Sequence, residues 1–179
     1  MIVINMFGVP GAGKSTGTAY VFAKLKMLGF NCELITEFAK DKVWEENKTV
    51  FENQAYIFGK QSYRQSRCDG KVDILVTDSP LPLSIMYNKD PRLTENFNLT
   101  VMDVFKSYHN VNFLINRVKP YNPKGRHQTE AESDALKGNV LTLLKERKID
   151  YTMVNGDQEG YDYIVKCIKT LMENIDALN

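Results

Sequence analysis

Short apolar runs alternate along this chain with longer segments whose apolar residues recur every three to four positions. The runs Ile2 to Phe7, Cys32 to Thr36, Val72 to Thr77, Val111 to Ile115 and Tyr151 to Val154 are each bounded by polar or turn residues, which predicts five strands. Phe97, Val101, Val104, Phe105 and Tyr108 fall at helical spacing, as do Leu136, Val140, Leu143 and Leu144, and Ile164, Ile168, Leu171, Ile175 and Leu178. Such stripes are the core faces of helices. The alternation predicts an α/β domain built on a five-stranded, mostly parallel sheet with helices on both faces.

Local chemistry sets some of the boundaries. Gly29 is placed to end the first helix, and Ser79 before Pro80 reads as a helix start. Thr129 with Glu132 three residues on has the form of a capping box. Between them, residues 117–128 lack apolar period and carry Pro120, Pro123 and Gly125 among basic side chains, which predicts a mobile loop.

Composition narrows the class. With 179 residues and 43% hydrophobic content the chain suits a single domain over 1–179 with one core. The 23 basic and 22 acidic residues leave a net charge of +1, so charge gives no support for a nucleic-acid partner or an anionic membrane surface. The apolar stretches are far shorter than the roughly 20 residues of a membrane span. Three cysteines, Cys32, Cys68 and Cys167, have no metal-ligand spacing, and no secretory leader is apparent, so the expected location is cytoplasmic.

The strongest chemical signal is Gly8-Val9-Pro10-Gly11-Ala12-Gly13-Lys14-Ser15, a full Walker A pattern after a strand and at the start of a helix. Glycines let the backbone wrap the phosphates of ATP, successive N–H groups form an anion nest, and the helix N-terminus adds positive charge. Gly8, Gly11, Ala12, Gly13, Lys14, Ser15 and Thr16 are therefore the expected nucleotide-binding residues. Lys14 should reach the β- and γ-phosphates and Ser15 should ligate Mg2+. The apolar run Ile74 to Thr77 ends in Asp78, where a Walker B carboxylate holds magnesium; a strand-end aspartate can instead cap the next helix, but Ser79 is available for that.

No glutamate follows Asp78 to activate water, which weakens a motor or helicase reading, and no guanine-reading Asn-Lys-x-Asp occurs after the appropriate strand. What remains is transfer to an acceptor other than water, which needs a base and a lid. Glu37, just beyond the second strand, is the candidate base; a glutamate there can also serve only to complement a helix dipole. Arg117, Lys119, Lys124 and Arg126 lie in the proline-interrupted loop, and Arg126 with Arg117 is expected to close over the transferring phosphoryl group. Gln61 and Arg64, among the rings Phe51, Tyr56, Phe58 and Tyr63, are candidates for reading an acceptor base.

These motifs, Gly8 to Ser15, Glu37-Phe38-Ala39-Lys40, Gln61, Asp78-Ser79, Gly125-Arg126 and Val154-Asn155-Gly156-Asp157, together resemble the ribosylnicotinamide-kinase-like P-loop family, which includes many bacteriophage proteins. Lys40 stands where that family commonly has arginine. The resemblance implies a nucleoside-monophosphate-kinase-like P-loop NTPase fold, with Asn155 and Gly156 bordering the adenine, and for a phage protein it implies the host cytoplasm. Deoxynucleoside kinases resemble the chain too, although Asp78-Ser79-Pro80 replaces their Glu-Arg-Ser.

The expectation is an ATP- and Mg2+-dependent phosphotransferase acting on a nucleoside hydroxyl or a nucleotide phosphate, with Lys14, Glu37, Asp78, Arg126 and Arg117 as its catalytic set. The alternatives are a kinase of polynucleotide ends or modified bases in DNA, and a nucleotide-binding regulatory protein with residual ATPase activity.

Overall fold

The computed structural model describes residues 1–179 except 48, 123, 125–128, 178 and 179. Five strands, β1 (Ile2–Phe7), β2 (Cys32–Ile35), β3 (Ile74–Thr77), β4 (His109–Asn116) and β5 (Thr152–Asn155), form one sheet in the order β2-β3-β1-β4-β5. All four pairings are parallel. Parallel neighbours require crossovers, and helices supply them: α1 (Lys14–Met27), α2 (Phe38–Trp44), α3 (Gln54–Ser66), α4 (Leu83–Tyr87), α5 (Glu95–Lys106), α6 (Glu130–Glu146) and α7 (Gln158–Asp176).

β1 is buried at every residue, as a central parallel strand covered on both faces must be. Met6 meets α1 on one face, while Val3 on the other packs with Ile35, Leu75 and Cys68 just past α3. α1 also packs on α7. The predicted stripes are the core faces: Val101 and Phe105 of α5, Val140, Leu143 and Leu144 of α6, and Ile164 and Ile168 of α7 are buried. Leu178 lies outside the described residues. Among the described residues no helix is long and apolar enough to cross a membrane.

Boundaries moved where polar side chains took over. β4 begins at His109, two residues before its apolar run, because Asn110 and Asn112 are satisfied within the sheet: the buried Asn5 amide donates to both side-chain oxygens, at 2.8 and 3.1 Å. Ser79 does not start a helix. Its N–H donates to Thr77 Oγ1 at 3.1 Å, and α4 begins at Leu83 with Pro82 at the capping position. Gly29 does end α1, at φ +88°, with the paired bonds Phe30 N–H to Leu25 O and Gly29 N–H to Lys26 O of a Schellman turn. The Thr129–Glu132 capping box is also present at the start of α6.

Candidate functional site

The loop joining β1 to α1 lies at the carboxyl edge of the sheet, beside the end of β3, where ligands of open α/β sheets bind. Gly13, at φ +103°, turns this loop into α1, and a Cβ there would meet the Tyr161 hydroxyl at 2.5 Å. The Lys14 ammonium bends back along the loop and donates to the carbonyls of Gly8 (2.8 Å) and Val9 (3.1 Å).

Ser15 Oγ donates to Asp78 Oδ2 at 2.6 Å, and the other Asp78 oxygen accepts the Glu37 N–H at 3.0 Å. A carboxylate that is only 3% exposed thus ties the phosphate loop, the end of β3 and the start of α2 together. It does not cap α4, whose N-cap is Pro82.

Glu37 stands at the N-cap of α2, yet its side chain makes no capping bond. Glu37 lines a cavity of about 240 Å³ shared with Gly11, Gly13, Lys14, Ser15, Thr16 and Asp78. Burial pushes the Glu37 carboxyl above the ordinary carboxylate range; the Lys14 ammonium opposes this and the Asp78 carboxylate reinforces it. Tyr87 on the same wall has its phenol raised by burial and then by the Glu37 charge. Val43, Phe51, Leu83 and Tyr87 add apolar and aromatic surface to the lining, beside Pro10, Ala39 and Lys40. Phe51 is one of the rings expected to read a base, whereas Val43, Leu83 and Tyr87 carry no signal in the sequence, because α2 and α4 are too short to show a period.

Lys124, from the basic loop, also lines this cavity. Arg126 lies outside the described residues. Arg117 is brought elsewhere: its guanidinium bonds Asp134, lies 3.6 Å from Glu130, and sits 5.5 Å from the Tyr121 ring centroid. It borders a second, smaller cavity with Gly8, Asn116 and Asp134, not the one that holds Glu37.

The β5–α7 loop touches the outer side of the phosphate loop. Gly156 N–H donates to Asn116 O at 2.9 Å, Asn155 Oδ1 accepts from the Asn116 amide at 3.3 Å, and a Cβ on Gly156 would lie 2.1 Å from Ala12 O. Gln61 and Arg64 do not face the cavity. Gln61 is buried, accepting the Phe38 N–H at 2.9 Å, and Arg64 donates to Thr36 O at 3.2 Å while pairing with Asp41 at 2.5 Å. Both side chains brace the turn that presents Glu37.

Comparison with known proteins agrees with this architecture. The profile of a family described as AAA domain matches residues 3–160. Among solved structures, a deoxyadenosine kinase from M. mycoides with bound dATP superposes with a TM-score of 0.55 at 19% identity, covering 93% of this chain and 98% of that one. No curated protein matches the sequence. At that identity the likeness is one of fold, and the family rests on the profile, which spans most of the chain. The chain belongs to the AAA domain family and has a nucleoside-kinase-like P-loop fold.

Proposed function

We propose that this protein moves the γ-phosphoryl group of ATP, with Mg2+, to a nucleoside hydroxyl or a nucleotide phosphate, acting as a single domain with residues 117–128 as its lid. The observation that carries this reading is one cavity lined both by the phosphate loop with Asp78 and by Glu37, whose carboxyl is not used as a cap. The fold shared with a deoxyadenosine kinase and the motif spacing of the ribosylnicotinamide-kinase-like group support a nucleoside or nucleotide acceptor.

The donor set suits magnesium. Ser15 Oγ and the Asp78 carboxylate are hard oxygen donors brought together beside the phosphate loop, and they would hold the ion there. Magnesium, when bound there, offsets the charge of the phosphates. Lys14 exchanges the Gly8 and Val9 carbonyls for the β- and γ-phosphates. Glu37 accepts the proton of an acceptor hydroxyl, and its raised pKa makes it a stronger base than an ordinary carboxylate. A phosphate acceptor is already ionised and needs no such base, so Glu37 favours the hydroxyl. Lys124 and Arg126 close over the transferring group from the lid, whose first residue, Arg117, is held to α6 by Asp134. Asn155 and Gly156 border the adenine.

The test is ADP release from Mg·ATP against nucleosides, nucleoside monophosphates, nicotinamide riboside and short DNAs, with Lys14→Ala as control. A Lys14-dependent rise with one acceptor supports the proposal and names its substrate. ATP binding with no acceptor raising turnover refutes it in favour of a regulatory nucleotide-binding protein.

A further inference from the structure

A phosphate loop works through its N–H groups, and each peptide is a rigid plane in which N–H and C=O point opposite ways. Holding the carbonyl of one residue outward therefore aims the N–H of the next residue inward. The Lys14 ammonium holds the carbonyls of Gly8 and Val9, but a lysine that turns to phosphates releases them, leaving Val9 O to the Ala12 N–H at 3.1 Å. Two other carbonyls are held from outside the loop, by side chains with no part in the chemistry.

Tyr161 of α7, 2% exposed, donates its hydroxyl to Gly13 O at 2.9 Å. Ser133 of α6, fully buried, donates its hydroxyl to Pro10 O at 2.7 Å. The first bond, together with the Gly17 N–H that the same carbonyl accepts at 2.8 Å, orients the peptide that carries the Lys14 N–H; the second orients the peptide that carries the Gly11 N–H. The molecule is shaped to admit these contacts. A Cβ on Gly17 would lie 2.5 Å from the Tyr161 ring, so the glycine in α1 lets the ring reach the loop. Ser133 lies one turn into α6, flanked by Glu130 and Asp134, which hold Arg117 at the opening of the basic loop.

We infer that Tyr161 and Ser133 are positioning residues that clasp the phosphate loop from α7 and α6, holding its N–H groups toward a bound polyphosphate. The inference rests on the reading of this loop as the site of a nucleoside triphosphate. Because α6 also holds Arg117, the Ser133 bond fixes the phosphate loop to the same element as Arg117.

The experiment is calorimetric titration of the full chain with Mg·ATP and, separately, with magnesium tripolyphosphate, in wild type, Tyr161→Phe, Ser133→Ala and Lys14→Ala, with melting temperatures alongside. Loss of one neutral hydrogen bond corresponds to a change of roughly 3- to 10-fold in dissociation constant. Tyr161→Phe keeps the ring and Ser133→Ala keeps the backbone, so both variants should fold. Each should weaken Mg·ATP and tripolyphosphate by the same factor, since the clasp acts on the phosphates and not on the base. Unchanged constants in both variants, with wild type binding and Lys14→Ala not binding, would overturn the clasp and leave the functional reading intact. A lowered melting temperature with unchanged constants has the same meaning, because it marks a purely structural role. If wild type itself binds neither compound, the functional reading falls and the clasp with it.

Discussion

Ser15 Oγ and Asp78 Oδ2 stand 2.6 Å apart although 63 residues separate them in the chain. The contact exists because β1 and β3 are adjacent in the sheet, so the loop after one meets the end of the other. Asp78 then accepts the Glu37 N–H, which draws the start of α2 to the same point. One buried carboxylate thereby sets the relative positions of the expected donor and acceptor residues.

Asp78→Asn should retain the fold, since the amide oxygen can still accept one of these bonds, and should reduce turnover on the order of 100-fold, as loss of a preorganised charge does. Turnover measured against magnesium concentration checks this. The variant should need more Mg2+ to reach half of its own maximum, and an unchanged magnesium dependence would argue against Asp78 in that role.

The sequence made the sheet, the phosphate loop and the Schellman turn at Gly29 legible because each is local: an apolar run, a glycine pattern, a single left-handed residue. Ser79 misled, since Thr77 Oγ1 two residues earlier captured its N–H and the chain turned through Pro80 before α4 could begin. β4 begins ahead of its apolar run, because the polar Asn110 and Asn112 fit a strand only once Asn5, more than 100 residues away, satisfies them. Gln61 and Arg64 looked like base readers for the same reason. Their partners, the backbone of Thr36 and Phe38, become neighbours only after folding.

The Asn5 network gives a stability prediction. Asn5→Ala removes the donor to the side-chain oxygens of Asn110 and Asn112, and leaving such groups without it costs about 1–3 kcal/mol. Denaturant unfolding monitored by circular dichroism should show the midpoint fall with the slope unchanged. Asn5 does not line the cavity that holds Glu37 and Asp78, so Mg·ATP affinity should stay within a factor of two.

Glycines separate into opposite classes. Gly156→Ala places a Cβ 2.1 Å from the Ala12 carbonyl, which is backbone and cannot step aside, so overpacking should cost about 1–3 kcal/mol. Gly59 and Gly138 lie inside α3 and α6 with nothing within 4 Å of a Cβ. Alanine at either should stabilise by about 0.5–1 kcal/mol, the helical difference between the two residues. Thermal melts of the three variants decide the matter, and destabilisation by Gly138→Ala would mean that α6 is not a regular helix there.

Glu37 links stability to chemistry through pH. Its folded-state pKa is raised above the ordinary 4.5, chiefly by burial, so the folded protein holds this proton more tightly than the unfolded chain. The contribution to stability is fully present below about 4.5 and is lost as pH rises through the folded value. Glu37→Gln removes a charge that the fold is penalised for burying, so at pH 7 the variant should melt higher than wild type, and the two should converge in acid. Activity should move the other way. If Glu37 is the base, turnover rises with pH through its raised pKa, and that limb disappears in the glutamine variant together with most of the rate. A variant that is more stable and inactive matches a carboxylate retained for chemistry at a cost to the fold. One that is less stable at pH 7 would show that Glu37 holds the α2 turn in place, and the base would have to be sought elsewhere in the cavity.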